Sequence, residues 1–523
     1  NTTGQYNIAI GNYSLDANTT ASDNVSIGYN ALTTNTTGIS NVALGSQSMR
    51  YCTTGDGNTA VGYIALQDVT TGGYNVEIGY YAGKDITTGG EIVAIGQNAL
   101  RTATTSGYNI AVGSNALYAN TGGHANVAVG HKAMESNTTG EDNVGIGASA
   151  LYTNTTSSYN TAVGNRALLV NTAALNTAVG SLSMFSNTTG TENTACGQAS
   201  LYTNSTGSYN TAVGRYALRL NTTGDYNIAV GTYALDANTT ADNNVAIGYQ
   251  ALTDNTTGTQ NIAVGSLALQ NNTTGDYNVG VGYRPLDANT TGDANTAMGY
   301  AALYTNSTGN NNSAFGFSAL LLATTAHNNS AFGYNALAAN TTGTANVAVG
   351  HDALEKNTTG SYHVALGWEA GEGLTTANRC IIIGQNAAQA TLTGDDNIII
   401  GREAGYDIWI WPHDSNCYPE RCMGWTITDQ IYWDSNEGSD YAIIMIDFDL
   451  IKELVESIGG SMNMDKFRKA VSIQNETFDY NGFEMLKASV DYIPEAEYKG
   501  KKVQLNKPKR GGSKKFYVYV KNP

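Results

Sequence analysis

The chain has 523 residues with 60 glycines against 6 prolines, only 13% charged residues, and a formal net charge of −17. The glycines recur at a spacing of seventeen and not three, which excludes collagen, and the acidic balance argues against nucleic-acid binding. No apolar run reaches the length of a membrane-spanning helix, and no secretory leader is visible. The first residue is Asn1 within a repeat, so an upstream N-terminus, removed or absent here, is expected.

The first phrase, Asn1-Thr2-Thr3-Gly4-Gln5-Tyr6-Asn7-Ile8-Ala9-Ile10-Gly11, returns at once and keeps returning. Anchored on the glycine closing each "Ala-Ile-Gly" or "Ala-Val-Gly", the series runs Gly11, Gly28, Gly45 and onward to Gly401, giving 24 copies. One residue is lost in the spacer Val170-Asn171-Thr172-Ala173-Ala174, which reads as a tightened turn. A short fixed period means units that cannot bury a core alone and must stack. The expected fold is mainly β: a parallel β-solenoid or β-roll of about 24 coils over residues 1–404. At about 4.8 Å per coil, the full array would be about 115 Å long.

Three columns define the unit. The residue before each anchor glycine is apolar throughout, the one before that is nearly always Ala or Ser (Glu77 is the charged exception), and Leu or Met follows four after the glycine. The last column is lost at Gly83, Gly371, Ala388 and Gly405. Alternating side chains on a strand take opposite faces. The Val/Ile face, with the later Leu, is expected inside the coil, and the small Ala face outside. On that reading Ala9, Ala43, Ala60, Ala94, Ala111, Ala128, Ala229 and Ala263 line a subunit interface in a homotrimer.

The "Asn-Thr-Thr-Gly" phrase is a turn, with Asn bonding its own backbone and glycine free to take a positive φ. A second Asn stands four before the anchor glycine in all but three coils, which carry Ile92, His363 and Cys380. Identical Asn side chains one coil apart are expected to form hydrogen-bonded ladders. The Asn-x-Thr triplets are also formal N-glycosylation acceptors. Cys52, Cys196 and Cys380 fall in three different columns, too far apart to pair.

Near the end Ile381-Ile382-Ile383 and Ile398-Ile399-Ile400 place Ile where Ala had been, marking a transition. Residues 405–440 form an aromatic-rich cap or transition with Trp409, Trp411, Trp425 and Trp433. These rings either plug the solenoid end or present a sugar-stacking, receptor-binding surface. Cys417 and Cys422 are a candidate disulfide. Their spacing from His413, without a fourth ligand, is a weak metal signal, and no metal or cofactor is assigned.

Residues 441–498 read as a small α+β domain: a strand at 441–447, a helix over 449–458 closed by Gly459, and a second helix from about Asn463. Asp447-Phe448-Asp449 reads as strand end plus helix cap. Residues 499–523 form a basic segment with nine Lys or Arg and no acid, suited to an acidic partner surface, nucleic acid or solvent. Lys514–Lys521 alternates like an edge strand guarded by lysines.

The phrase Asn-Val-Ala-Ile-Gly-x-x-Ala-Leu resembles the head repeats of trimeric autotransporter adhesins. That resemblance implies a parallel β-roll with three chains side by side. The longer unit with its inserted Asn-Thr-Thr-Gly turn departs from the family, and its membrane-anchoring barrel and stalk have no counterpart here. Long Asn-Thr-Thr-Gly arrays, and the tail from Lys507 to Pro523, also resemble fibre proteins of marine phages and large algal viruses.

These resemblances imply a structural fibre or appendage, a viral shaft with a terminal attachment or receptor-binding domain, without catalysis. Its partners would be other virion or surface proteins at one end and a host glycan or receptor, with location on a virion surface or outside the cell. A bacterial surface adhesin is the alternative. A tailspike-like glycan hydrolase is the weaker one, because Asp16, Asp23, Asp225, Asp276 and Asp293 scatter over turns without the paired carboxylates that hydrolysis needs.

Overall fold

A computed structural model describes residues 1–405 and, beyond them, only the backbone of seven short strands. The chain forms a parallel β-solenoid of 17-residue coils, each contributing one three-residue strand. Two compact units divide the chain, Asn1–Thr291 and Gly292–Pro523. In the first, β1 (Ile8–Ile10) to β17 (Val279–Val281) pair in chain order, and in the second β18 (Thr296–Met298) to β24 (Ile398–Ile400) do the same. Register is held column on column, as in Ile228↔Val245, Ala229↔Ala246 and Val230↔Ile247. The shortened spacer leaves it intact, since Thr161 pairs with Thr177 sixteen residues on. The described residues contain no helix.

The coil around Gly214 shows how seventeen residues close on themselves. Its interior is Ala212, Ala217, Leu218, Asn221, Gly224 and Asn227, all buried. Three non-glycine residues, Tyr216, Leu218 and Tyr226, sit in the left-handed region at φ 58, 52 and 57. That conformation is uncommon for side-chain-bearing residues and costs of order 1 kcal/mol each. It recurs in the same columns in nearly every coil because each one bends the chain around a very small cross-section.

The anchor glycines lie at φ between 126 and 144, where a Cβ would run into the carbonyl of the next coil's glycine. The glycine of the Asn-Thr-Thr-Gly turn has a different reason to be there. It keeps an ordinary φ, and a Cβ on Gly224 would strike the Ala241 carbonyl and Asn221 Oδ1. Room for the neighbouring coil, and not the expected positive φ, selects it.

Backbone hydrogen bonds join coils around the whole circumference. Within and beside one coil, Thr211 N–H reaches the Asn227 carbonyl at 2.8 Å, Leu218 N–H the Ala234 carbonyl at 2.9 Å, and Thr222 N–H the Thr239 carbonyl at 2.8 Å. The Asn ladders form as expected, and they run through the interior. Asn58 N–H donates to Asn41 Oδ1 at 2.9 Å while Asn58 Nδ2 donates to the Gly72 carbonyl at 3.0 Å. In the turn column, Asn221 Nδ2 donates to Asn204 Oδ1 at 2.8 Å and to the Gly224 carbonyl at 2.9 Å. Buried amides satisfied this way avoid the desolvation penalty of unpaired polar groups.

The expected orientation of the strand is reversed. The central Ala points into the coil and the flanking Val, Ile or Leu point out. The physical reason is volume. Leu, Ala and two Asn already occupy the interior, and only a methyl fits opposite them. Where a larger residue takes the central position, its own coil gives up the Leu: Glu77 with Gly83, Ile382 with Ala388, Ile399 with Gly405. A Cβ added at Gly83 would lie 2.6 Å from Glu77 Cδ and 2.9 Å from Ile86 Cδ1. Gly145 is the converse case, its missing methyl replaced by the long Met134 side chain.

Beyond residue 405, Tyr441–Met445 is a strand as expected, paired antiparallel with Tyr517–Lys521, which lies at the edge of a three-stranded sheet. The expected helices at 449–458 and from Asn463 lie outside the described residues.

Candidate functional site

The outward strand positions make the most distinctive surface. The third position of every strand is apolar, from Ile10 through Leu44, Ile95, Ile146 and Ile247 to Phe332 and Leu366, and none of these residues is buried. The first position adds Ile8, Ile110, Ile228, Ile262, Ile381 and Ile398, with Val, Thr or Ser in other coils. Ile247 and Ile228 are each 40% exposed, a large fraction for side chains fixed in a ladder. In each of the two units the strands therefore present a stacked, continuous apolar column flanked by a mixed column of Ile, Val, Thr and Ser. Exposed apolar patches of this extent mark interaction surfaces.

The residues expected to form a subunit interface are not on that surface. Ala43, Ala60, Ala94, Ala111, Ala128, Ala229 and Ala263 are 0% exposed and pack inside their own coils, and Ala9 is open only because it belongs to the first coil. The sequence contained the correcting signal: Glu77, Ile382 and Ile399 fall in three of the four coils that lose their Leu, a volume exchange that requires both positions to share one interior; the fourth, at Gly371, keeps Ala365.

A second surface escaped the sequence reading. In the Gly292–Pro523 unit, the residue after each anchor glycine is aromatic in five successive coils. Tyr300, Phe317, Tyr334, His351 and Trp368 stack at centroid separations of 4.8, 5.2, 4.8 and 4.6 Å. The rings cover one another's faces and turn their edges outward. Beside them, in the outward strand column, Phe315 stacks on Phe332 at 4.8 Å. Trp368 Nε1 donates to Glu369 Oε1 at 2.7 Å, and His351 Nδ1 lies 2.9 Å from Asp352 Oδ2.

Two of the turn carboxylates named above serve the backbone. Asp225 Oδ1 accepts the Ser208 N–H at 2.7 Å and Asp276 Oδ1 accepts the Thr259 N–H at 2.6 Å, each joining one coil to the one before. The first Thr of the turn does the same work from the other side, Thr222 Oγ1 donating to the Thr239 carbonyl at 2.8 Å.

Two ionisable groups depart from the pattern. Glu77 is fully buried, neither carboxylate oxygen has a hydrogen-bond partner, and burial raises its pKa well above the ordinary carboxylate value. His363 occupies an Asn position and imitates the amide, its Nδ1 accepting the Cys380 N–H at 3.2 Å; burial lowers its pKa.

Cys52, Cys196 and Cys380 are free thiols in three separate columns, and burial pushes the Cys52 thiol up to about 11. Trp409, Trp411, Trp425, Trp433, Cys417 and Cys422 lie outside the described residues. Among the described residues no group of three or more His, Cys, Asp or Glu is arranged to hold a metal ion, and no helix is long and apolar enough to cross a membrane. Compared with protein-family models, curated proteins and solved structures, the chain matches none.

Proposed function

We propose that the chain is a structural fibre protein whose solenoid coils form a shaft and whose copies associate side by side, as a homotrimer, through the outward Val/Ile face. The observation that carries this reading is the unbroken apolar column at the third strand position, present in all 24 repeats although it contributes nothing to the interior of its own coil. The seventeen coils of the first unit carry this outward column without a break, a long continuous face on which an interface of the standard size, about 800 Å² per partner, can be built. A second copy is the natural occupant because the face repeats with the coil spacing, so only a partner with the same spacing matches it column for column.

In this proposal the fibre stands on a virion surface or outside the cell. One end attaches to other structural proteins and the other meets a host glycan or receptor. The stacked Asn, Thr and backbone ladders supply the rigidity a shaft requires, and Asp225 and Asp276 each spend a carboxylate oxygen on joining coils.

Light scattering on the full chain, with negative-stain images of the same sample, tests the proposal. A mass of three chains in an elongated particle is expected. Replacing Ile228, Val230 and Ile247 together by Glu should lower the mass toward one chain while the coils keep their hydrogen-exchange protection. A wild-type chain of monomer mass overturns the side-by-side association.

A further inference from the structure

The repeat is dense in Asn-x-Ser/Thr triplets, and the structure separates them into two chemically different classes. In fourteen coils the acceptor Asn is the buried turn residue, from Asn18 and Asn35 to Asn340 and Asn357. Its Nδ2, the atom to which an N-linked sugar would be joined, points inward. Asn221 Nδ2 is held at 2.8 Å from Asn204 Oδ1 and 2.9 Å from the Gly224 carbonyl, and Asn238 Nδ2 at 2.8 Å from Asn221 Oδ1 and 3.1 Å from the Ala241 carbonyl. Both amide hydrogens are spent and no solvent reaches the group. Asn24, the acceptor of Asn24-Val25-Ser26, is likewise buried, donating to the Gly38 carbonyl at 3.0 Å.

The other class is small. Asn12-Tyr13-Ser14, Asn311-Asn312-Ser313 and Asn328-Asn329-Ser330 place the acceptor Asn on the exterior. Asn311 and Asn328 occupy one column in successive coils, at φ 58 and 59, tied to the preceding coil only through their backbone N–H. Asn1 is exposed as the first turn, and Asn271 is half-buried with Nδ2 committed to the Asp287 carbonyl at 2.8 Å.

We infer that, within residues 1–405, the folded chain carries N-linked glycan only at exterior Asn, with Asn311 and Asn328 as the paired sites within the array, and that a glycan on an interior turn Asn prevents its coil from closing. Attachment transfers an oligosaccharide from a lipid-diphosphate donor: the bond from Nδ2 to the anomeric carbon forms, the bond from that carbon to the diphosphate oxygen breaks, and the lipid diphosphate leaves while the displaced amide proton passes to a base. Inside the coil that removes a donor from a ladder and demands space already filled by the next coil. Sequence alone treats all these triplets as equal, and the direction of each side chain divides them.

The test is to express the full chain through the secretory pathway of a eukaryotic cell, with and without tunicamycin, and in the bacterial cytosol. Glycan occupancy is mapped on the protease-resistant fraction by mass spectrometry after deglycosylation in heavy-oxygen water. The cytosolic chain should fold, and the secreted chain should yield folded protein with glycan at Asn311 and Asn328 and none at Asn221 or Asn238. Molecules modified at the turns should appear only in the protease-sensitive fraction, which tunicamycin should shrink. Ser313→Ala with Ser330→Ala should remove the two-site glycan from the folded fraction without altering folding. Glycan at Asn221 or Asn238 in folded protein overturns the inference, as does a protease-sensitive fraction unaffected by tunicamycin.

Discussion

Two stretches of the first unit build the same backbone from different interiors. Between Asn204 and Gly275 every coil has Ala, Leu and two Asn inside, and the amides form continuous ladders. Between Cys52 and Ala103 the turn Asn becomes Cys52, Val69, Ile86 and Ala103, the other Asn becomes Ile92 in one coil, and Glu77 faces Gly83. The strands stay in register in both stretches. The coil therefore requires a filled interior of fixed volume and accepts either hydrogen bonds or apolar packing to fill it. The exchange has a visible seam: Asn35 Oδ1 is left without a partner where Cys52 follows it. The same Gly-for-Leu, apolar-for-Asn swap reappears at Gly371 with Leu374.

The largest effect should come from forcing the irregular composition onto a regular coil. Ala229→Glu places a carboxylate opposite Leu235 with no space and no partner, and should cost about 3–5 kcal/mol locally. Hydrogen exchange across residues 211–265 measures it. Adding Leu235→Gly should recover part of the loss, as Gly83 accommodates Glu77; no recovery would break the volume argument.

Next in size is Asn221→Leu, which deprives Asn204 Oδ1 and the Gly224 carbonyl of their donor. About 1–3 kcal/mol is expected in the adjoining coils, read by the same exchange experiment. The equivalent change at Val69, Val69→Leu, should cost less, since no ladder passes through it.

Glu77 sets a pH dependence on the irregular stretch. Its folded pKa is raised, so the stability it permits is fully present below the unfolded value of 4.5 and is lost as pH rises toward the folded one. Exchange in residues 60–95 should accelerate with rising pH beyond the intrinsic chemical rate, and Glu77→Gln should abolish that excess. The smallest effect belongs to His363. Its folded pKa is lowered, so its contribution is present above the unfolded value of 6.5 and is lost as pH falls through the folded one. His363→Asn should restore the amide ladder and remove the dependence; a variant as acid-sensitive as the wild type would place the titration elsewhere.

The repeat, its period, the strand in each coil, the single shortened turn and the Asn ladder four before each anchor glycine were legible from Asn1 to Gly401, because stacking identical units makes every column a repeated observation; the turn Asn reads only as bonding its own backbone, and its second ladder came from the structure. The candidate site was legible only in part. The third strand column stands out as apolar in every copy, yet reads as core, and the aromatic column from Tyr300 to Trp368 keeps the seventeen-residue spacing but changes residue type from coil to coil, so identity alone does not mark it. Left-handed Leu and Tyr residues carry no sequence mark, since glycine or asparagine would be expected there.

Sequence by itself determined that two sets of side chains lie on opposite faces of each strand, and which residues belong to each. Only the tertiary structure decided which set goes inside. Alternation is symmetric between the faces, and hydrophobicity favours the Val/Ile set. Closing a coil of seventeen residues around one Leu and two Asn leaves room for a methyl, so the alanines turn inward and the larger apolar side chains are left facing out.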